Sequence, residues 1–212
     1  MKRICVIGLG DMGSGLAKNL IKAGFDVAGF DLSPDRLAAF EAMGGRPAAS
    51  VAQAGDGAEA AFVMVMNGDQ AKGVILGADG LAAHMAPGAT ILLTATIRPR
   101  EAVEIGNAMD GTGIHLIDTP VSGGFPGAQG GTLTMMASAP DAVIAQARPA
   151  MEVVSATIHH IGTEPGMGQT VKACLQTLIG SIFSATFEAS VLAAKAGVKG
   201  EHLFRVFSTS GA

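Results

Sequence analysis

The stretch RICVIGLGDMG, residues 3–13, decides the fold class of this 212-residue chain. It begins with a short apolar run, typical of a buried strand, and continues with glycines at positions 8, 10 and 13 in the pattern G-x-G-x-x-G. A helix-like segment follows, and the next apolar run ends at Asp31, close to the offset of about 20 residues at which this pattern places an acid. Among 30 glycines the spacing alone would be weak, but with this context it predicts a βαβ unit that binds a dinucleotide.

The physical chemistry of that turn favours one cofactor. Glycines let the backbone approach a pyrophosphate, whose charge the helix N-terminus stabilises. The carboxylate of Asp31 would accept hydrogen bonds from the adenosine ribose and repel a 2′-phosphate, so NAD is predicted rather than NADP. Arg36 lies within reach of this region, and we interpret it as a solvated arginine on the first turn of the next helix.

Short apolar runs alternate with helix-like segments over most of the chain. Seven of these runs are predicted strands, at residues 3–8, 26–31, 60–67, 89–96, 113–120, 132–138 and 156–162. Helix boundaries are marked by Gly24 at the end of the first helix, by Ser33-Pro34 at the start of the second and by Arg98-Pro99 at the start of a later one. This order predicts an α/β fold with a doubly wound, mostly parallel sheet.

A second region begins near Gly162, where the segment GTEPGMG ends the alternation. A helical pattern then runs to about Ala196, and Gly197 ends it. The predicted organisation is therefore a nucleotide-binding domain over residues 1–164 and, over 165–212, a long helix that begins a helical domain. Residues 173–187 carry no charge, but we expect them to be too few and too polar to cross a bilayer.

Composition excludes several classes of partner. Hydrophobic residues make up 49% of the chain and charged residues 15%. The formal net charge is -4, and the basic residues do not cluster. The low charge and its scattered distribution argue against nucleic acid and membrane surfaces as partners. The two cysteines, Cys5 and Cys174, suggest neither a disulfide framework nor a zinc site, so a cytoplasmic location is expected, with Cys174 buried. His159 and His160 are adjacent on a predicted strand and would face opposite ways, so no metal site is predicted.

Two further segments contain candidate functional groups. In DTPVSGGFPGAQGGTL, residues 118–133, the SGG element offers a hydroxyl and successive backbone amides at the carboxyl end of a strand, a combination that suits a carboxylate, although a plain glycine-rich connection is the alternative. In GMGQTVKACLQ, residues 166–176, Lys172 and Gln176 are four residues apart and share a helix face. Lys172 is the only charged residue between Glu164 and Glu188.

Together with the glycine turn, these segments resemble the β-hydroxyacid dehydrogenases, which include 3-hydroxyisobutyrate dehydrogenase and tartronate semialdehyde reductase. The three motifs occur in the family's order and cover nearly the whole chain. The resemblance implies a Rossmann-type domain, NAD(P)-dependent oxidation of a small β-hydroxy acid to its semialdehyde, and a helical domain that mediates homo-oligomerisation. It implies that Lys172 is catalytic, assisted by Gln176, and that substrate contacts come from Ser122, Gly123, Gly124 and Thr96. The implied cofactor contacts are Gly8, Leu9, Gly10, Asp11, Met12, Gly13, Asp31, Asn67 and Thr96.

Lys172 would take the proton from the substrate hydroxyl in this scheme. A lysine with an ordinary pKa of about 10.4 is a poor base at neutral pH, so the site must favour the neutral amine. Desolvation by apolar neighbours should be the larger cause, because the effect of the helix dipole fades within the first turn. The alternative is a lysine that extends its amine to solvent from the start of the helix.

The chain departs from the family pattern at two points. Leu175-Gln176 stands where an asparagine pair is usual, and this glutamine, with MVMNGDQ at residues 64–70, is similar to the branch that oxidises four-carbon sugar acids such as L-threonate. The family also continues with further helices beyond the point that corresponds to residue 212. Two alternative functions stay open: a semialdehyde reductase of the tartronate semialdehyde type, and a dinucleotide-binding module without catalysis.

Overall fold

The structure, a computed structural model, describes residues 1–210. The strands within this range are β1 (Arg3–Ile7), β2 (Asp26–Phe30), β3 (Arg46–Pro47), β4 (Ala60–Val63), β5 (Thr90–Leu93), β6 (His115–Asp118), β7 (Val121–Ser122), β8 (Leu133–Ser138) and β9 (Ser155–Gly162). The helices are α1 (Asp11–Lys22), α2 (Pro34–Ala42), α3 (Val51–Gly55), α4 (Gly68–Leu76), α5 (Leu81–His84), α6 (Pro99–Met109), α7 (Gly124–Gly130), α8 (Asp141–Val154), α9 (Met167–Lys195) and α10 (Gly200–Thr209).

The strands form one sheet whose order is that of a doubly wound nucleotide-binding fold. From one edge the order is β3, β2, β1, β4, β5 and β6, and every neighbouring pair in this series is parallel. β8 then pairs antiparallel with β6 and β7, and β9 pairs parallel with β8. The predicted α/β class and mostly parallel sheet are confirmed.

Two apolar layers cover the two faces of the sheet. Successive residues of β1 alternate between them: Ile4 and Val6 lie in one layer, and Cys5 and Ile7 lie in the other. All four side chains are buried, which explains why the strand is a continuous apolar run rather than an alternating pattern. The sheet is therefore a rigid support whose strand ends carry the site.

Local signals placed the helix starts correctly. Ser33 precedes Pro34 at the start of α2, and Arg98 precedes Pro99 at the start of α6, where the Glu101 side chain accepts the Arg98 N–H at 2.9 Å. The predicted strand 60–67 is too long, because the chain leaves the sheet after Val63 and turns towards α4. The two-residue strands β3 and β7 were not predicted, since so few residues leave no pattern.

The helix α9 has 29 residues and extends well beyond the uncharged segment 173–187. By length and composition alone the whole helix is long and apolar enough to cross a membrane. The expectation concerned only the uncharged segment 173–187, and for that segment it stays a prediction. The chain separates into two compact units, the first comprising Met1–Lys172 and the second beginning at Ala173. The first five residues of α9 and Lys172 thus belong to the unit that contains the sheet. Residues 211–212 of the predicted second region lie outside the described residues.

Candidate active site

The predicted functional segments meet at one edge of the sheet. Because β1, β2, β4, β5 and β6 run parallel, the residues that follow each of them lie along the same carboxyl edge. Crevices at this edge are where ligands bind in open α/β sheets. The segments that follow these strands include the glycine turn, Asp31, the segment 64–67, Thr96 and the SGG element.

The glycine turn after β1 is shaped by close backbone packing. Gly8 has a φ of 91°, and a Cβ there would collide with the carbonyl group of Met64 at the end of β4. A Cβ on Gly13 would overlap the carbonyl oxygen of Gly8. Gly10 precedes α1, whose first turn has no side-chain cap, so no capping side chain occupies its N–H groups. The turn thus combines a close-approach backbone with amide donors, as a pyrophosphate requires.

Asp31 lies beside this turn and is held in place by backbone donors. Its carboxylate accepts the Leu9 N–H at 2.7 Å and the Ser33 N–H at 2.9 Å, and its side chain is only 8% exposed. Arg36 contacts the same carboxylate at 3.5 Å, and its guanidinium lies 3.7 Å from the position of a Cβ on Gly10. Arg36 is 55% exposed, in agreement with the predicted solvated arginine, and in addition it pairs with Asp31 over the glycine turn.

The remaining predicted cofactor residues lie on the same edge. Leu9 is buried and supplies the N–H that Asp31 accepts, whereas Asp11 and Met12 begin α1. Asn67 caps α4, where its side-chain oxygen accepts the Gln70 N–H at 2.9 Å. Thr96 is exposed between two buried residues after β5, so its side chain is available to a ligand.

The SGG element opens into the short helix α7. Ser122 is half-buried, Gly123 and Gly124 are exposed, and both glycines have positive φ values, 126° and 59°. α7 is fixed against the cofactor helix α1, because the Asn19 side-chain amide donates to the Ala128 carbonyl at 2.8 Å. A Cβ on Gly15 of α1 would lie 2.6 Å from the carbonyl carbon of Ala128. The predicted cofactor and substrate segments are thus in direct contact through their helices.

Lys172 is buried near the start of α9. Only 7% of its surface is exposed, and within residues 1–210 no hydrogen bond or ion pair involves its amine. Burial lowers the pKa of Lys172 from the ordinary lysine value. This burial argues against the alternative in which the side chain extends into solvent, and the pKa of Lys172 is lowered for the expected reason, desolvation.

Gln176 and Cys174 differ from Lys172 in their surroundings. Both belong to the second compact unit, and both are exposed there. The expectation that Cys174 is buried was wrong, because none of the described residues of that unit, 173–210, covers its side of the helix. Gln176 follows Lys172 one turn later on α9, and its assistance to the lysine stays a prediction.

Three site residues were missed by sequence reasoning. Asp118, Ser138 and Gln169 are fully or almost fully buried and hydrogen-bond one another at the start of α9. Polar residues within apolar runs could have indicated buried functional groups. No pattern in the neighbouring sequence, however, showed that these three residues contact one another. The sequence prediction therefore omitted the buried residues that hold the start of α9.

Comparison with known protein families covers almost the whole chain. Residues 3–162 match the family described as the NAD binding domain of 6-phosphogluconate dehydrogenase. Residues 166–212 match the family described as NAD-binding of NADP-dependent 3-hydroxyisobutyrate dehydrogenase. The two matches meet between β9 and α9.

Individual relatives agree with these matches. The chain is 36% identical over 209 residues to an L-threonate dehydrogenase of Cupriavidus necator, covering 99% of this chain and 70% of the relative. It is 37% identical over 210 residues to a 3-hydroxyisobutyrate dehydrogenase of Pseudomonas aeruginosa, again covering 99% and 70%. A crystal structure of a 3-hydroxyisobutyrate dehydrogenase from Salmonella typhimurium superposes with a TM-score of 0.91 at 33% identity, covering 100% of this chain and 74% of that one.

Proposed function

The chain belongs to the β-hydroxyacid dehydrogenase family, and we propose that it oxidises a small β-hydroxy acid to its semialdehyde with NAD, with Lys172 as the general base. One observation carries the role of Lys172: this buried lysine, whose amine has no hydrogen bond or ion pair with residues 1–210, lies on the helix whose first turn packs against the carboxyl edge of the sheet. A charged amine in such a place is costly unless a ligand or a proton transfer uses it. Membership of this family of enzymes sets aside the alternative of a non-catalytic module.

The glycine turn and Asp31 fit the dinucleotide. Without side chains at Gly8, Gly10 and Gly13, a ligand can approach the backbone of the turn closely. The first turn of α1 has no side-chain cap, so its N–H groups are available to a pyrophosphate. Asp31 is fixed by two backbone donors, which positions its carboxylate for the ribose hydroxyls. When bound, NAD supplies the acceptor for the hydride that leaves the substrate carbon. The protein's own residues have to hold the substrate and move the proton.

Lys172 moves that proton in the proposed mechanism. In the oxidation direction its neutral amine accepts the proton of the substrate hydroxyl, and in reduction its ammonium returns it. Because burial lowers the pKa of Lys172, the neutral form is available at a lower pH than for an exposed lysine. The turnover of hydroxy-acid oxidation should therefore rise with pH and level off below the ordinary lysine pKa.

Ser122, Gly123 and Gly124 would bind the substrate carboxylate. The Ser122 hydroxyl is half-buried, and the two exposed glycines leave their amide groups accessible to an anion. Thr96, exposed on the neighbouring loop, would contact the substrate or the nicotinamide. Gln176 would orient the substrate hydroxyl, as the family pattern implies.

Within the family we favour a four-carbon, polyhydroxylated acid as the substrate. The support is Gln176 with the segment 64–70, together with the 36% identity to an L-threonate dehydrogenase. The similar identity to a 3-hydroxyisobutyrate dehydrogenase makes that branched acid the second candidate. We further propose that the protein is a cytoplasmic homo-oligomer and that it works in the oxidative direction. The reductase alternative would instead require that the protein reduces a semialdehyde with NADH faster than it oxidises the hydroxy acid.

The test is NADH formation with L-threonate, erythronate, glycerate, 3-hydroxyisobutyrate and 3-hydroxypropionate, comparing the wild type with Lys172→Ala. We expect turnover of threonate in the wild type and a decrease of about 10²- to 10⁴-fold in the variant, the usual contribution of a positioned base. NAD affinity, measured by fluorescence quenching or calorimetry, should not change. Unchanged turnover in Lys172→Ala would refute the proposed role. Turnover of 3-hydroxyisobutyrate alone would refute the four-carbon preference.

A further inference from the structure

A buried polar cluster joins the start of α9 to the carboxyl edge of the sheet. It consists of Asp118 at the end of β6, Ser138 at the end of β8 and Gln169 in the first turn of α9. Gln169 is 1% exposed, and the other two residues are not exposed at all. All three lie in the first compact unit, as does Lys172.

Asp118 acts as a cap for α9 from a distant part of the chain. The first N–H groups of a helix have no partner within it, and usually a neighbouring Ser, Thr, Asp or Asn accepts them. Here Oδ2 of Asp118 accepts the Gly166 N–H at 2.8 Å and the Gln169 N–H at 3.2 Å, from 48 and 51 residues away. The Ser138 hydroxyl accepts the Gly168 N–H at 3.2 Å and donates to Asp118 at 3.4 Å. The start of α9 is thus fixed by tertiary contacts.

The side-chain amide of Gln169 extends the cluster to the loop after β5. Its Nε2 donates to Oδ1 of Asp118 at 2.9 Å and to the Ala95 carbonyl at 3.0 Å. Its Oε1 accepts the Ile97 N–H at 3.0 Å. The two backbone groups that it binds flank Thr96 on either side. One amide therefore fixes both the loop that presents Thr96 and the helix that carries Lys172.

Lys172 follows Gln169 by three residues, so the two share a helix face. The buried residues of α9 are Gly168, Gln169 and Lys172, which means that this face is the one seated against the sheet. A Cβ on Gly168 would lie 2.8 Å from the Asp118 carbonyl oxygen, so the helix approaches the strand ends as closely as glycine allows. The placement of the amine of Lys172 thus depends on how this first turn is held.

We propose that Asp118 and Gln169 are positioning residues of the dehydrogenase site, forming a clamp that holds Lys172 in place relative to the Thr96 loop; this inference rests on the proposed function. The clamp acts through Lys172 and touches neither substrate nor cofactor. Burial raises the pKa of Asp118, and the four donors that face its carboxylate oppose this shift. A buried carboxylate is a costly cap where a local side chain would suffice, so stability alone does not account for it.

The experiment is a double-mutant cycle between Gln169→Met and Lys172→Ala in the full chain. Methionine keeps the length of the side chain and removes its three hydrogen bonds. Because a displacement of about 1 Å costs on the order of 10²-fold in rate, we expect Gln169→Met to lower kcat by about 10- to 100-fold in the wild-type background. In the Lys172→Ala background the same change should alter the residual kcat by less than about threefold, since the clamp then has no base to position. Because Gln169 also fixes the loop that presents Thr96, any rise in the KM for NAD should be the same in both backgrounds, whereas the decrease in kcat depends on Lys172.

The control is Phe40→Leu, which removes packing from a fully buried side chain outside the cluster. It should lower the melting temperature without lowering kcat, and so separates lost stability from lost positioning. Equal decreases in kcat for Gln169→Met in both backgrounds, or no decrease in the wild type, would overturn the clamp while leaving the role of Lys172 intact. Full turnover by Lys172→Ala would instead refute the proposed function itself.

A second variant keeps the inference testable if Gln169→Met does not fold. Ser138→Ala removes only the contacts with Gly168 and Asp118. It should lower kcat in the same direction by a smaller factor, again only when Lys172 is present. An unchanged kcat in Ser138→Ala, with Gln169→Met unfolded, would count against the clamp.

Discussion

At the scale of single residues, the buried amine of Lys172 links function to a cost in stability. Because burial lowers its pKa in the folded state, the unfolded chain binds more protons between the folded and unfolded pKa values. The free energy of unfolding should therefore rise with pH between these two pKa values. Below the folded-state pKa, the folded protein bears the full cost of burying the charged amine. The residue that favours proton transfer is one that destabilises the fold at neutral pH.

Replacing Lys172 by methionine should relieve this cost. We expect Lys172→Met to be more stable than the wild type at neutral pH, by about 0.5–2 kcal/mol as for other stabilising substitutions at functional sites, while turnover is lost. The gain should shrink as the pH approaches the ordinary lysine pKa. Urea unfolding monitored by circular dichroism at several pH values measures it, and a lower stability of Lys172→Met at every pH would contradict the expectation.

Asp31 determines cofactor preference at the same scale. Asp31→Asn removes the negative charge that opposes a 2′-phosphate and leaves an oxygen for the Leu9 N–H. It also releases Arg36, which can then bind the phosphate. We expect the ratio of kcat/KM for NADP to that for NAD to rise at least about tenfold, equivalent to about 1.4 kcal/mol. Arg36→Ala is the matched variant and should not raise this ratio; an unchanged ratio in Asp31→Asn would contradict the assignment.

At the scale of elements, the contact between α1 and α7 couples the cofactor turn to the SGG element. Gly15→Ala would place a methyl group 2.6 Å from the carbonyl carbon of Ala128 and separate the two helices. We expect a loss of stability of about 1–3 kcal/mol, typical of overpacking, and higher KM values for both NAD and the hydroxy acid. Denaturant unfolding and steady-state kinetics measure the two effects.

The control for this prediction is another glycine-to-alanine change within a helix. A Cβ on Gly73 of α4 meets no atom within 4 Å, so Gly73→Ala should stabilise the protein by about 0.5–1 kcal/mol through the loss of glycine's flexibility in the unfolded chain. Kinetic constants should not change. Equal effects of Gly15→Ala and Gly73→Ala would show that the contact between the two helices does not matter.

At the scale of the whole molecule, the second unit exposes a large apolar surface. Its exposed large apolar side chains are Leu178, Ile182, Phe183, Phe187, Val191, Leu192, Val198, Phe204 and Val206. The rings of Phe183 and Phe187 stack with centroids 6.0 Å apart. Soluble monomers rarely expose contiguous apolar surface of this kind, so we expect the protein to associate with itself through it.

A charge within this surface should oppose that association. Phe187 is 64% exposed, and Phe187→Asp would place a carboxylate in the middle of the apolar set. We expect the mass measured by light scattering to fall towards that of one chain, whereas Ser184→Asp, which adds the same charge at an exposed polar position of α9, should keep the wild-type mass. A wild type that is monomeric at every concentration would contradict self-association.

The molecule also shows which features could be foreseen. The sequence identified the dinucleotide-binding residues Gly8, Gly10, Gly13 and Asp31. They lie within about 25 residues of one another, and each residue type is required by a contact that the neighbouring sequence predicts. The strand runs and the helix starts at Pro34 and Pro99 were placed by the same kind of short-range rule. Strand ends were less accurate, because the point at which a chain leaves a sheet depends on its neighbours in space, as at Val63 and Met64.

The sequence by itself determined the fold class, the cofactor turn and the family, because apolar periodicity, glycine spacing and short motifs act through neighbours along the chain. Only the tertiary structure decided that the amine of Lys172 is buried and that Asp118 and Gln169 hold its helix. These contacts join residues 48 to 74 positions apart, and no local pattern specifies which distant groups will meet. Burial and the pKa of Lys172 are properties of the packed interior, and they arise only when the sheet, the loop after β5 and the first turn of α9 have come together.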